Sequence, residues 1–247
     1  MIPGLYSAAT AMDVTDRRQE VVAENLANLQ TPGYRRRVLS QASFDSVISP
    51  LQLSRDGVSS SKLLGAHTGD TKFDFTQGHH EQTGVKLHAA LNGDGFFVIQ
   101  GPNGPLYTRS GAFHTDPQGT IVNIDGLPVK GTNGPLTLPS GASSSQVEIT
   151  KDGNVYVDEQ RVGQLELVNF ADKNVLQPEG SSLFSAPAGE VTTGTAAEVI
   201  QGSLEMANTS SVDQLVSMIE ITRHRDAAQR ALTTIADSIK KRIGMGQ

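Results

Sequence analysis

Both ends of the chain read as long amphipathic helices, and almost nothing between them does. A helix that carries an apolar seam must bury that seam somewhere. The middle is rich in glycine and turn residues and reads as short strands, a poor host for two long helices. The two seams are therefore expected to meet each other, or the same seams on neighbouring chains.

At the N-terminus, Pro3 sits where a first helical residue tolerates a missing N–H. Leu5, Ala8, Met12, Thr15, Gln19, Val22, Leu26 and Leu29 then recur three and four apart, a heptad spacing with a polar centre. Thr31-Pro32-Gly33 ends the pattern, because proline disfavours helix in the residue before it and glycine allows a sharp exit. At the C-terminus, Ser211-Val212-Asp213-Gln214 is a capping-box candidate. Val212, Leu215, Val216 and Ile219 share one face. Met218, Ile221, Ala228, Leu232, Ile235 and Ile239 form a second line, interrupted by Arg225. Lys240, Lys241 and Arg242 suit the negative end of the helix dipole, and Gly244 suits the exit. Arg223, Arg225 and Arg230 are expected on a solvated or intersubunit face.

The fold class expected is α+β. Residues 1–33 and 208–247 form a discontinuous helical layer of coiled-coil type, 34–72 an irregular connector, and 73–207 a mostly antiparallel β domain. Within that domain Leu91-Asn92-Gly93-Asp94-Gly95 turns into Phe96-Phe97-Val98-Ile99. Asn103-Gly104, Asp116–Gly119 and Asp125-Gly126 mark further turns. Val147–Ile149, Val155–Val157 and Gln164–Val168 read as three strands, with Asp152-Gly153-Asn154 as a hairpin turn. Leu183-Phe184 is expected to close that same sheet, and Ala186–Thr195 to be a return loop.

The chain has 247 residues, a net charge of −6 and a pI near 5.5, so it lacks the basic footprint of a nucleic-acid binder. Arg35-Arg36-Arg37 reads as a solvated basic run rather than a phosphate clamp. With no cysteine, disulfides and thiol nucleophiles are excluded. No apolar run approaches the ~18 residues of a membrane span, so direct membrane insertion is not expected. The N-terminus lacks a basic region ahead of its apolar stretch, so no cleaved signal is expected either. From composition alone the chain would be placed in the cytoplasm. No catalytic, metal or cofactor motif survives inspection. His80-Glu81 is not followed by a second His at zincin spacing, and Asp152, Asn154 and Asp158 place Val157 where a calcium loop needs glycine. No enzyme activity and no cofactor are expected.

The run Glu24-Asn25-Leu26-Ala27-Asn28-Leu29-Gln30-Thr31-Pro32-Gly33-Tyr34 resembles the signature of bacterial flagellar axial proteins, the rod, hook and related basal-body subunits. Its family positions are Asn25, Asn28, Thr31, Pro32, Gly33 and Tyr34. Leu91–Phe97, Tyr107–Phe113 and Gln201-Gly202-Ser203-Leu204-Glu205-Met206-Ala207-Asn208 resemble three further blocks of that family, in the same order.

The resemblance implies a structural rod subunit of the proximal or distal type that carries a β domain and transmits motor torque to the hook. It implies helical assembly through both terminal helices, with Leu5, Met12, Val22, Leu26 and Leu29 on one and Val212, Leu215, Ile219, Ala228, Leu232, Ile235 and Ile239 on the other. The partners implied are copies of the chain, other rod and hook proteins, and the flagellar type III export apparatus. Location in the basal body then replaces the cytoplasmic reading. Phe44-Asp45-Ser46-Val47-Ile48 fits the family's short export motif, or else Phe44 and Ile48 anchor the connector. The competing reading is a secreted β-sheet binding module, for glycans for example, oligomerised by helical ends. The absence of tryptophan weighs against its aromatic platform.

Overall fold

The computed structural model describes residues 2–39, 71–187, 189–193 and 197–244. Phe44 and Ile48 lie outside the described residues, as do the side chains of Leu5, Ile235 and Ile239. The chain divides into two units that each use discontinuous sequence. The helical unit comprises Met1–Ala27, Arg37–Phe73 and Ser210–Gln247, and the β unit comprises Asn28–Arg36 and Asp74–Thr209.

In the helical unit, α1 spans Ile2–Ala27 and α2 spans Ser211–Gly244. At 1.5 Å per residue they are about 40 and 50 Å long. The two pack on each other, which gives each apolar seam a place to go. Ser210 caps α2, one residue earlier than the sequence suggests: its hydroxyl accepts from the amide of Asp213 at 3.4 Å and its carbonyl from Gln214 at 3.1 Å.

Burial on α1 also runs one residue ahead of the heptad line. Val14, Val21 and Asn25 are buried, whereas Met12, Thr15, Gln19, Val22 and Leu26 are half-buried. On α2, Gln214 and Ile221 are buried and Met218, Ala228 and Leu232 half-buried, so its second line faces inward. The unit is completed by an antiparallel ribbon of Arg37–Leu39 and Thr71–Phe73.

The β unit centres on a six-stranded antiparallel sheet. Its order is Gln177–Pro178, Leu183–Ser185, Gly104–Thr108, Phe96–Gly101, Leu167–Phe170 and Val191–Thr193. Side chains alternate across a strand, so adjacent residues face opposite layers. Phe97 and Ile99 point into the main core with Leu91, Val129, Val155 and Val199. Phe96 points the other way, into an aromatic layer with Phe75, Phe170 and Phe184, and Phe170 stacks edge-on against Tyr107 at 4.9 Å. A meander of Val147–Ile149, Asn154–Val157 and Gln160–Gln164 closes the core from a second side.

Three sequence expectations change here. Gln164–Val168 is not one strand: Gln160–Gln164 belongs to the meander and Leu167–Phe170 to the large sheet. Leu165, between them, bridges to Gly131 instead. Leu183-Phe184 closes the large sheet through Thr108 and Tyr107, not the meander. The stretch read as a return loop contains an edge strand, Val191–Thr193, paired with Phe170–Val168. Its threonines and valine carry β propensity that low apolar content concealed.

Candidate functional site

The segment from Asn28 to Arg36 follows α1 in sequence yet belongs to the β unit. Its geometry begins where the helix stops. The amide of Thr31 donates to the carbonyl of Asn28 at 3.0 Å, and the amide of Tyr34 donates to that of Thr31 at 3.2 Å. Gly33 adopts φ +72°, and a Cβ there would lie 2.2 Å from the Ser110 amide nitrogen, so both conformation and space require glycine. Its amide donates to the Glu205 carbonyl at 2.7 Å, and Tyr34 is buried.

Beyond Tyr34 lies a fully buried charge cluster. The Arg35 Nη2 donates to Glu205 Oε1 at 2.5 Å, and its Nη1 donates to the Thr76 carbonyl at 3.1 Å. The Arg109 Nη1 reaches Glu205 Oε2 at 3.2 Å, and its Nη2 donates to the Gly93 carbonyl at 2.8 Å. The Gly78 amide adds a third donor to the carboxylate at 2.9 Å. Arg109 also lies over the Phe96 ring, 5.4 Å from its centroid. Burial pulls the Arg109 guanidinium below its ordinary value, opposed by the charge of Glu205.

The effect is to gather four distant pieces of chain on one carboxylate. They are the Thr31–Arg35 segment, the chain at Gly78, the Thr108-Arg109-Ser110 segment, and the Ser203–Glu205 strand, which pairs with His80–Gln82; Arg109 in turn ties in the Gly93 turn. Asn208 makes a second junction close by. It accepts from the Arg36 amide at 2.8 Å and donates to the carbonyls of Asp74 at 2.7 Å and Thr76 at 3.0 Å. Arg36 pairs with Asp74 at 2.7 Å. Burial pushes the Asp74 carboxyl up, but hydrogen bonds from Thr76 and Arg36 outweigh it and hold it below its ordinary value. Lys173, 2.5 Å from Asp94, holds that carboxyl low as well.

In the helical unit Asn25 plays the matching part. Its amide side chain accepts from the Arg37 N–H and donates to the Arg37 carbonyl, both at 2.9 Å, as a neighbouring strand would. Arg37 pairs with Glu24 at 2.7 Å and stacks over Phe73.

The basic run at 35–37 is therefore not a freely solvated one, although Arg36 and Arg37 keep part of their side chains in solvent. Arg35 is 1 % exposed, and all three arginines are ion-paired. Of the six signature residues, Asn25, Gly33 and Tyr34 are buried, while Asn28, Thr31 and Pro32 form the half-buried turn before them. Sequence reasoning missed Arg35, Arg109 and Glu205 as a set. The available signal was a charged residue inside an otherwise apolar or small-residue block, as in Leu204-Glu205-Met206. Glu205 is engaged by two guanidiniums and sealed from solvent, so the cluster is built to hold segments together. Among the described residues no His, Asp or Glu group could hold a metal ion.

Fold and site together define a structural protein whose ends pair as helices and whose signature segments close on a central β unit. The matches to known families have the same three parts. A model described as "Flagella basal body rod protein" matches residues 5–35, "Flagellar hook protein FlgE/F/G D1 domain" matches 90–157, and "Flagellar basal body rod FlgEFG protein C-terminal" matches 200–243. The basal-body rod protein FlgG of Agrobacterium fabrum is 31% identical over 93% of this chain and 94% of its own length. FlgF of Caulobacter vibrioides is 31% identical over 97% of each chain, and FlgG of Buchnera aphidicola from Acyrthosiphon pisum is 29% identical over 98% of each. The chain belongs to the flagellar basal-body rod protein family.

Proposed function

We propose that this chain is a structural subunit of the flagellar basal-body rod, laid down helically through its terminal helices to form part of the drive shaft that carries torque to the hook. Full-length similarity to proteins named as basal-body rod proteins carries this reading. The same similarity leaves the secreted binding module without support. In this reading residues 1–33 and 208–247 form an assembly layer of coiled-coil type, around the lines Leu5, Met12, Val22, Leu26, Leu29 and Val212, Leu215, Ile219, Ala228, Leu232, Ile235, Ile239. The buried Glu205 cluster fixes the signature segment in the β unit, so that load on the helices meets a rigid body. Partners are copies of the chain and related axial proteins. Delivery is by the flagellar type III apparatus without signal cleavage, and Phe44 with Ile48 is a candidate export motif.

The test is complementation of a strain lacking this gene. The wild-type chain should restore rods and hooks, and Leu26→Asp should restore neither while the β unit keeps its cooperative unfolding. Normal rods and motility in the Leu26→Asp strain would overturn assembly through α1.

A further inference from the structure

The β unit is closed by the last stretch of its own sequence. Glu198–Gln201 pairs with Ala89–Asn92, and Ser203–Glu205 with His80–Gln82. Val199 enters the main core, and Leu204 and Ala207 are buried. The Gly202 amide donates to the His88 carbonyl at 2.7 Å, and the Gly202 carbonyl accepts from the Thr83 and Gly84 amides at 2.8 and 3.0 Å. The Val199 amide donates to the Lys151 carbonyl at 2.8 Å, and the Gly33 amide to that of Glu205 at 2.7 Å. All these partners lie well before the segment in the chain, so it closes long loops whose entropy must be met before its contacts form.

The charge cluster decides what can happen before that segment arrives. In the central hairpin, formed by Phe96–Gly101 and Gly104–Thr108, Thr108 pairs with Phe97. Arg109 follows directly, so forming the hairpin carries its guanidinium over the Phe96 ring and out of water. Arg35, likewise buried, adds a like charge nearby. The carboxylate between them is Glu205, which lies in the closing strand. Asp94, whose charge also reaches Arg109, is largely exposed and pairs with Lys173, where solvent screens it. A buried cation without its partner is strongly unfavourable. We propose that Glu205 is a lock on folding order: the central hairpin does not close until the Ser203–Glu205 strand docks. A chain made or threaded N-terminus first therefore stays open until its closing strand is free. The lock is a property of the chain alone. Its use in delivery rests on the export reading, and it adds to that reading what keeps the chain open.

The test is pulsed hydrogen exchange during refolding of the intact chain from urea. In the wild type the hairpin amides should gain protection together with those of Ser203–Glu205, within about twofold in time. In Arg109→Met the hairpin carries no cation, while the Arg35–Glu205 pair remains. Its hairpin amides should then be protected at least about tenfold sooner than the closing strand. The Gly33 amide, which donates to Glu205 itself, should still wait. Wild-type hairpin amides protected in an earlier phase than Ser203–Glu205 would overturn the lock, even if the variant failed to fold. So would joint protection in Arg109→Met, which would show that loop closure and not charge sets the order. Both readings are made on the purified chain, so either failure leaves the rod reading intact, and a failed complementation leaves the lock intact.

Discussion

The two units bury their side chains to different extents. In the β unit Ala89, Leu91, Phe97, Ile99 and Val155 are all fully buried, and even its ionic cluster is sealed. In the helical unit Val212, Leu215, Val216 and Ile219 of α2 are half or more exposed, and among the described side chains of α1 Met12, Val22 and Leu26 are half-buried. The charge follows the same division: acidic residues outnumber basic ones about two to one in the β unit and roughly balance in the helical unit. The β unit is a completed fold with a self-repelling surface. The helical unit is nearly neutral and keeps apolar side chains at the start of α2 in contact with solvent.

The sharpest way to break this contrast is to remove the carboxylate at the centre of the β unit. Glu205→Ala strands two buried guanidiniums and should cost about 3–5 kcal/mol in urea unfolding of the monomer. A loss below about 1 kcal/mol would mean that the cluster does not hold the four segments. Gly33→Ala adds a Cβ against Ser110 at a positive φ. It should cost about 1–3 kcal/mol, and its hydrogen exchange should rise at Arg36 as the segment lifts. Asp74→Asn should have a smaller effect with a defined pH window. Its carboxyl is held low in the fold, so its contribution is present above the unfolded value of about 3.9 and fades as pH falls through the lower folded value. The wild type should exceed the variant at neutral pH, and the two stability curves should converge in acid. Constant separation down to the most acidic pH would exclude the Arg36 and Thr76 hydrogen bonds as the source. Smallest of all, Ile219→Gln in α2 should change monomer stability by no more than about 0.5 kcal/mol, because the side chain is already in water. A large loss there would remove the distinction between the two units.

What could be read from sequence divides along a similar line. Both helices, the hairpin at Asp152–Asn154 and the strand at Phe96–Ile99 depend on local spacing and turn chemistry, and all are present. The edge strand Val191–Thr193 and the division of Gln164–Phe170 between two sheets depend on partners far along the chain, which periodicity does not register. Arg35 is the clearest case. Beside two other arginines it reads as solvated, and only a carboxylate 170 positions away makes its burial tolerable. On α1 the line buried within the chain, Val14, Val21 and Asn25, lies beside the heptad line, and a hydrophobic pattern skips Asn25 because it is polar.

Asn25 has one more consequence. By satisfying both backbone groups of Arg37, it blunts the outer edge of a short two-stranded ribbon. Unpaired strand edges recruit other strands, and chains brought together at high local density are the most exposed to that fault. A single amide side chain thus closes one route to strand-on-strand aggregation.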